Sequence, residues 1–328
     1  MDNRNAYWDS IKGLLIFIVV LGHSLEMDRV DRINLTTYEL IYSFHMPLFM
    51  FLSGLFTNPN PERNKFKKSL FRIIETYIVF NLLYMVFYMD FPTTLIDAFT
   101  PYDVMWYLYI LIIFRVCLYI YTERISHKIM PLFMGSIIVA TLIGYIPFIG
   151  DKLCASRFFY FMPFFLAGIL LKHKLSDWRP RFSLIHKMGA VLFLAITFTS
   201  IYLINNPDYF ILLGAKSYNE LDVRGLMGGV SRLVVWCLSI AVSISFVILT
   251  PNNKILTSLG QYSLGIYLMH NFFVRIIRVL IRHFELPSNL VVALCVAFTV
   301  TAICYTISKS KYSEFIYNPI TSIKRFKL

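Results

Sequence analysis

Apolar runs of about 20 residues, separated by short polar segments, recur along the whole chain. That period is the length a helix needs to cross a bilayer. The pattern predicts ten spans, near 8–27, 38–57, 69–89, 103–121, 130–149, 157–172, 187–205, 227–250, 258–281 and 288–308. A helix satisfies its own backbone hydrogen bonds, so repeated apolar runs of this length predict an all-α, polytopic transmembrane helical bundle. The polar segments are each too short to bury a core of their own. The expectation is one domain over 1–328, with a membrane core at about 8–308 and a short basic tail, 309–328.

Composition agrees with this reading. Of the 328 residues, 57% are hydrophobic and only 15% charged, and mean hydropathy is +0.63. A soluble domain could not cover so much apolar surface. The net charge of +12 does not call for nucleic acid, because Lys and Arg gather in alternate loops. Arg63, Lys65, Lys67 and Lys68 follow the second span; Lys172, Lys174, Arg179 and Arg181 follow the sixth; Lys309, Lys311, Lys324, Arg325 and Lys327 fill the tail. The segment between the third and fourth spans carries neither residue. By the positive-inside rule both termini are cytoplasmic. No small-residue cleavage site follows the first apolar run, so that run is expected to stay as a helix. The five cysteines are scattered without a CxxC and read as packing residues.

Polar residues inside apolar spans narrow the chemistry, since such groups are costly in lipid and are functional candidates for that reason. The first span, WDSIKGLLIFIVVLGHSLE, carries Asp9 and Lys12 near its start and His23 and Glu26 near its end. Eleven residues make about three turns, so Lys12 and His23 share a face roughly 16 Å apart. Asp9 and Glu26, each three residues from one of that pair, join the same side. The second span brings His45 to a similar depth and follows it with Pro47, which kinks a helix. Ser53 and Gly54 permit close packing. In the third span Arg72 and Glu75 either pair with each other or face a channel, and Arg115 in the fourth needs a partner. Trp106 and Tyr107 fit either an interfacial aromatic belt or a sugar-binding face. Arg157 opens the sixth span. The ninth holds His270, then Arg275, Arg278 and Arg282 at helical spacing; this stripe either snorkels to lipid phosphates or steers an anionic acceptor. The 206–226 segment reads as a long outer loop over the acceptor cleft.

DSIKGLLIFIVVLGH, with ten residues between Lys12 and His23, followed by FHMPLFMFLSGLF, resembles the acyltransferase family 3 membrane proteins. It is most similar to the branch described as fucose 4-O-acetylase-like acetyltransferases, with Lys12 where Arg is common. FKKSLFRIIETY, MWYLYILII, RFFYFMPFFLAGILL and SLGQYSLGIYLMH fit as well. The resemblance implies a multi-pass enzyme of a bacterial cytoplasmic membrane. It would move an acyl group, usually acetyl, from cytoplasmic acyl-CoA to a sugar hydroxyl of an envelope or exported glycan or a lipid-linked sugar. No metal is expected. In that setting His23 is the expected general base, since a hydroxyl needs one titrating near neutrality. Glu26 would orient it, and His45 would be a second proton carrier or an oxyanion donor. Lys12 and Arg72 would hold the CoA phosphates, with Asp9 paired to Lys12. Trp106, Tyr107, Arg157, His270 and Arg275 are the candidates for acceptor binding. The rival reading is a transporter or flippase of a polysaccharide or lipid-linked sugar, with the same polar groups lining a path.

Overall fold

The computed structural model describes residues 5–26, 31–94, 97, 99–124, 127–147, 149, 152–204, 210–223 and 225–326. Among these there is no strand. Ten segments predicted to span are helical: α1 Ala6–Leu25, α2 Arg32–Leu55, α3 Arg63–Tyr88, α4 Trp106–Arg124, α5 Ile129–Ile143, α6 Ala155–Leu175, α7 Leu184–Ile204, α8 Met227–Leu249, then α9 Lys254–Gln261 with α10 Ser263–His283, and α11 Leu290–Lys309. The ninth predicted span is thus two helices, broken at Tyr262, whose backbone leaves helical geometry (φ −102°, ψ 11°). Two short helices close the chain, α12 Ser313–Tyr317 and α13 Pro319–Phe326. Among the described residues, eight helices are long and apolar enough to cross a membrane. The two that fall short are α2, interrupted by polar residues such as Glu39, His45 and Ser43, and α5, with 15 residues.

The chain forms two compact units. Unit 1 comprises residues 1–49, 176–212 and 232–309; unit 2 comprises 50–175, 213–231 and 310–328.

Unit 1 is built on α1. In its most apolar stretch 72% of residues are buried, against 11% for α7, so α1 is the inner helix and α7 presents its apolar side chains outward. Lipid tails are as apolar as leucine, so helices associate in a membrane through close packing and hydrogen bonds. Both operate on α1. Its largest partner is α9, and the two backbones touch at glycines: a Cβ on Gly13 would lie 2.0 Å from the Leu256 carbonyl oxygen, and one on Gly260 would lie 1.8 Å from that of Asp9. Ser10 Oγ lies 2.8 Å from Thr257 Oγ1 across this contact. At the start of α1, Asn5 caps the helix by accepting from Tyr7 N, a role asparagine fills well. Its Nδ2 donates to the carbonyls of Ser176 and Trp178. Tyr7 donates its hydroxyl to the Val247 carbonyl at 2.7 Å. These bonds fix the height of α1 within the unit.

Unit 2 repeats the device where the end of α2 meets α6. A Cβ on Gly54 or Gly168 would strike the facing backbone, at Phe165 and Phe51 respectively. Arg115 finds its partner in Ser69 Oγ, at 3.0 Å. The predicted loop at 206–226 has two parts. Residues 206–209 and 224 lie outside the described residues, and 213–223 fold into turns anchored by Tyr218, which donates N–H to the Gly144 carbonyl at 2.7 Å and its hydroxyl to that of Thr141 at 3.0 Å. Bonds from the Ser217 N–H and hydroxyl hold the Glu220 carboxyl below the usual range.

Filling the α1–α9 contact tests this account. Gly260→Val forces a side chain against main chain that cannot yield, at a cost of about 1–3 kcal/mol. It should lower the apparent Tm of the detergent-solubilised protein by about 4 °C or more, whereas Gly189→Ala, where nothing lies within 4 Å, should leave it unchanged.

Candidate active site

The end of α1 meets α2 and α10 in a cluster of polar side chains, all in unit 1. Glu26 caps α1 and is its centre. Tyr42, on α2, donates its hydroxyl to Glu26 Oε1 at 2.9 Å. Arg278, on α10, reaches Oε2 at 3.2 Å and donates to the His23 carbonyl oxygen at 3.0 Å. His23 Nδ1 lies 3.2 Å from Oε1. This last is a close approach rather than an aligned hydrogen bond, since the Nδ1 hydrogen is not directed at the carboxylate. The side chains of His23, Glu26 and Arg278 are 16%, 15% and 11% exposed. Carboxylate and guanidinium therefore compensate each other where neither could stand alone.

Two more imidazoles surround this centre. His45 Nδ1 lies 2.8 Å from the Ile41 carbonyl, and its ring meets that of Tyr42 edge-on at 4.7 Å. His270 Nδ1 lies 2.7 Å from the Tyr267 carbonyl and 3.2 Å from that of Ile266; its ring centroid is 5.1 Å from that of His23. Carbonyl oxygens only accept, so both Nδ1 atoms carry their protons, and in the neutral imidazole the lone pair is then at Nε2. A neutral His45 in this tautomer accepts at Nε2, so an oxyanion-donor role there would require its imidazolium. The chemistry available is a histidine backed by a carboxylate, as in hydrolase triads, with two neutral acceptors nearby.

A family model described as an acyltransferase domain matches residues 5–309. The chain belongs to the acyltransferase family. It also resembles two proteins named nodulation protein NolL, from Sinorhizobium fredii (strain NBRC 101917 / NGR234) and Mesorhizobium japonicum (strain LMG 29417 / CECT 9101 / MAFF 303099). The identities are 40% and 37% over 73 residues, which is 21% of this chain and 20% of each relative. The match thus spans about one fifth of those relatives' length. No solved structure matches.

The other sequence candidates fall in distinct places. Lys12 Nζ lies 2.5 Å from Asp9 Oδ1 on α1, with Asp9 nearly fully buried. Arg275 lies on α10, half-buried, one turn before Arg278, while Arg282 is exposed. The basic stripe is thus divided, because its middle member turns inward to Glu26. The remaining candidates belong to unit 2. Arg157 lies over the Trp106 ring, 5.0 Å from its centroid, and Tyr107 shares a 2.6 Å hydrogen bond with Ser53. Arg72 and Glu75 do not pair with each other. Arg72 approaches Glu314 Oε1 at 3.7 Å. Glu75 accepts from the N–H groups of Ile320 and Thr321 at 2.5 and 3.1 Å and from the Thr321 hydroxyl, which makes it a remote cap for α13.

Of the centre's members, Tyr42 is not among the sequence candidates, and Arg278 enters there only as part of the basic stripe, not as the partner of Glu26. Tyr42 lies three residues before His45 on the same helical side, a usable signal. The partner of Arg278 had no such mark, because it is 252 residues away. Their pairing yields a test. Arg278→Ala leaves the Glu26 charge uncompensated and should cost about 3–5 kcal/mol of stability. The double variant Arg278→Ala/Glu26→Gln should recover part of that loss in thermal unfolding; additive losses would show that the two groups are not coupled.

Proposed function

We propose that this protein is an O-acyltransferase, most simply an O-acetyltransferase, that moves an acyl group from acyl-CoA to a sugar hydroxyl of a cell-envelope or exported glycan. The supporting observation is the His23–Glu26 contact, with Tyr42 and Arg278 holding the carboxylate from both sides.

His23 Nε2 removes the proton of the acceptor hydroxyl as its oxygen attacks the thioester carbonyl carbon. The new C–O bond forms, the C–S bond breaks, and the proton passes from His23 to the departing thiolate, giving ester and free CoA. Glu26 stabilises the imidazolium in between, as the carboxylate does in a triad. Tyr42 and Arg278 are positioning residues. Arg278 grips both the Glu26 side chain and the His23 carbonyl, so it sets the two catalytic groups relative to each other. Lys12 is the cation of unit 1 proposed for the donor's phosphates. Trp106, Tyr107 and Arg157 are proposed for the acceptor, the first for stacking on a sugar face.

Purified protein in liposomes, given radiolabelled acetyl-CoA and envelope glycan, tests the reading. Wild type should release CoA and label the glycan, and His23→Ala should lose about 10³-fold or more, as removal of a catalytic base does. Tyr42→Phe, which removes one hydrogen bond, should lose about 3- to 10-fold in kcat with the KM for acetyl-CoA unchanged. Donor binding without hydrolysis or transfer would move the reading to a transporter.

A further inference from the structure

Among the buried polar atoms of unit 1, His270 Nε2 has no hydrogen-bond partner among the described residues. The residue is fully buried, its Nδ1 proton is committed to the carbonyls of Ile266 and Tyr267, and no donor reaches Nε2 among the described residues. A buried acceptor left unmatched is destabilising, and one kept in a folded protein calls for a donor from elsewhere. The neighbouring ring is that of His23, 5.1 Å away between centroids. As the proposed base, His23 uses the lone pair of its own Nε2. Two imidazole acceptors whose ring centroids are 5.1 Å apart suit a ligand with two neighbouring O–H donors. The oxygens on adjacent carbons of a sugar ring meet that description, lying about 3 Å apart when gauche, one hydrogen-bond length.

We propose that His270 is a specificity-determining residue that accepts, at Nε2, a hydrogen bond from the hydroxyl adjacent to the one that reacts at His23, so that the acceptor is a vicinal diol. The proposal rests on the reading of His23 as the base. The donor to that nitrogen comes from the acceptor, whose approach is on the side of His23, which keeps 16% exposure. The adjacent hydroxyl keeps its proton throughout. Only the reacting hydroxyl loses one, and the atom balance is that of the transfer described above. His270 therefore chooses which hydroxyl is acylated: one that has a gauche neighbour. A site built to bond a hydroxyl rejects an analogue lacking it far more strongly than an apolar pocket rejects a size change.

The test uses the full chain in liposomes with acetyl-CoA and a panel of methyl hexopyranosides, each paired with its monodeoxy analogues. For wild type, kcat/KM should fall about 10-fold or more when the hydroxyl next to the acylated one is missing, and should change little when a distant one is missing. His270→Leu should give the same low value for both members of the pair, while His270→Gln, which restores an acceptor, should recover part of the discrimination. Wild type indifferent to the neighbouring hydroxyl overturns the proposal, as does full discrimination retained in His270→Leu. If that variant fails to fold, the wild-type comparison decides alone. Transfer that survives His23→Ala overturns the base assignment and this proposal together, as does a wild type that acylates no member of the panel. Transfer that needs His23 but ignores the neighbouring hydroxyl overturns only the proposal.

Discussion

A carboxylate at the end of a membrane helix cannot be left alone, and much of unit 1 is arranged to satisfy Glu26. Taking such a charge from water is expensive unless a counter-charge and hydrogen bonds replace what water supplied. Arg278 supplies the charge and Tyr42 the second donor, from two other helices. Because Arg278 also bonds the His23 carbonyl, the compensation of Glu26 and the placement of His23 are one construction. Loss of any member disturbs the others, which is why the cluster acts as a centre rather than as four separate polar residues.

That centre needs α1 at a fixed height, and the packing of unit 1 provides it. Small residues let α1 and α9 approach until backbone meets backbone at Gly13 and Gly260. Asn5 and Tyr7 then tie the start of α1 to the main chain at Ser176, Trp178 and Val247. Hydrogen bonds at one end and a polar cluster at the other hold a helix whose middle is apolar. The break at Tyr262 separates two tasks: α9 packs closely on α1 at its glycines, and α10 carries His270 and Arg278 to the His23–Glu26 end.

Unit 2 carries a different kind of contact. Glu75 spends its carboxylate on the start of α13, and Thr76 reaches Asn318, so one stripe of α3 holds the end of the chain. Arg72 on that stripe lies near Glu314. Arg72 and Glu75, three residues apart, are divided between two tail partners, because each finds an oppositely charged or hydrogen-bonding group better placed than its neighbour.

The sequence by itself determined the helical class, the positions of the ten apolar segments and the identity of the first-helix residues. These follow from local rules: bilayer length sets the period of hydrophobicity, and a helix fixes which residues three or four apart share a face. Asp9 with Lys12, and His23 with Glu26, were legible for that reason. Tertiary structure alone decided that Arg278 faces inward while Arg282 stays exposed, that His270 lies beside His23, that Arg115 meets Ser69, and that the ninth apolar run is two helices. Each of these depends on which helices become neighbours, and hydrophobic periodicity carries no information about pairing. In lipid every helix presents much the same apolar surface, so the choice of partner falls to a few glycines and buried polar groups. Their matches lie tens to hundreds of residues apart and are fixed only when the chain has folded.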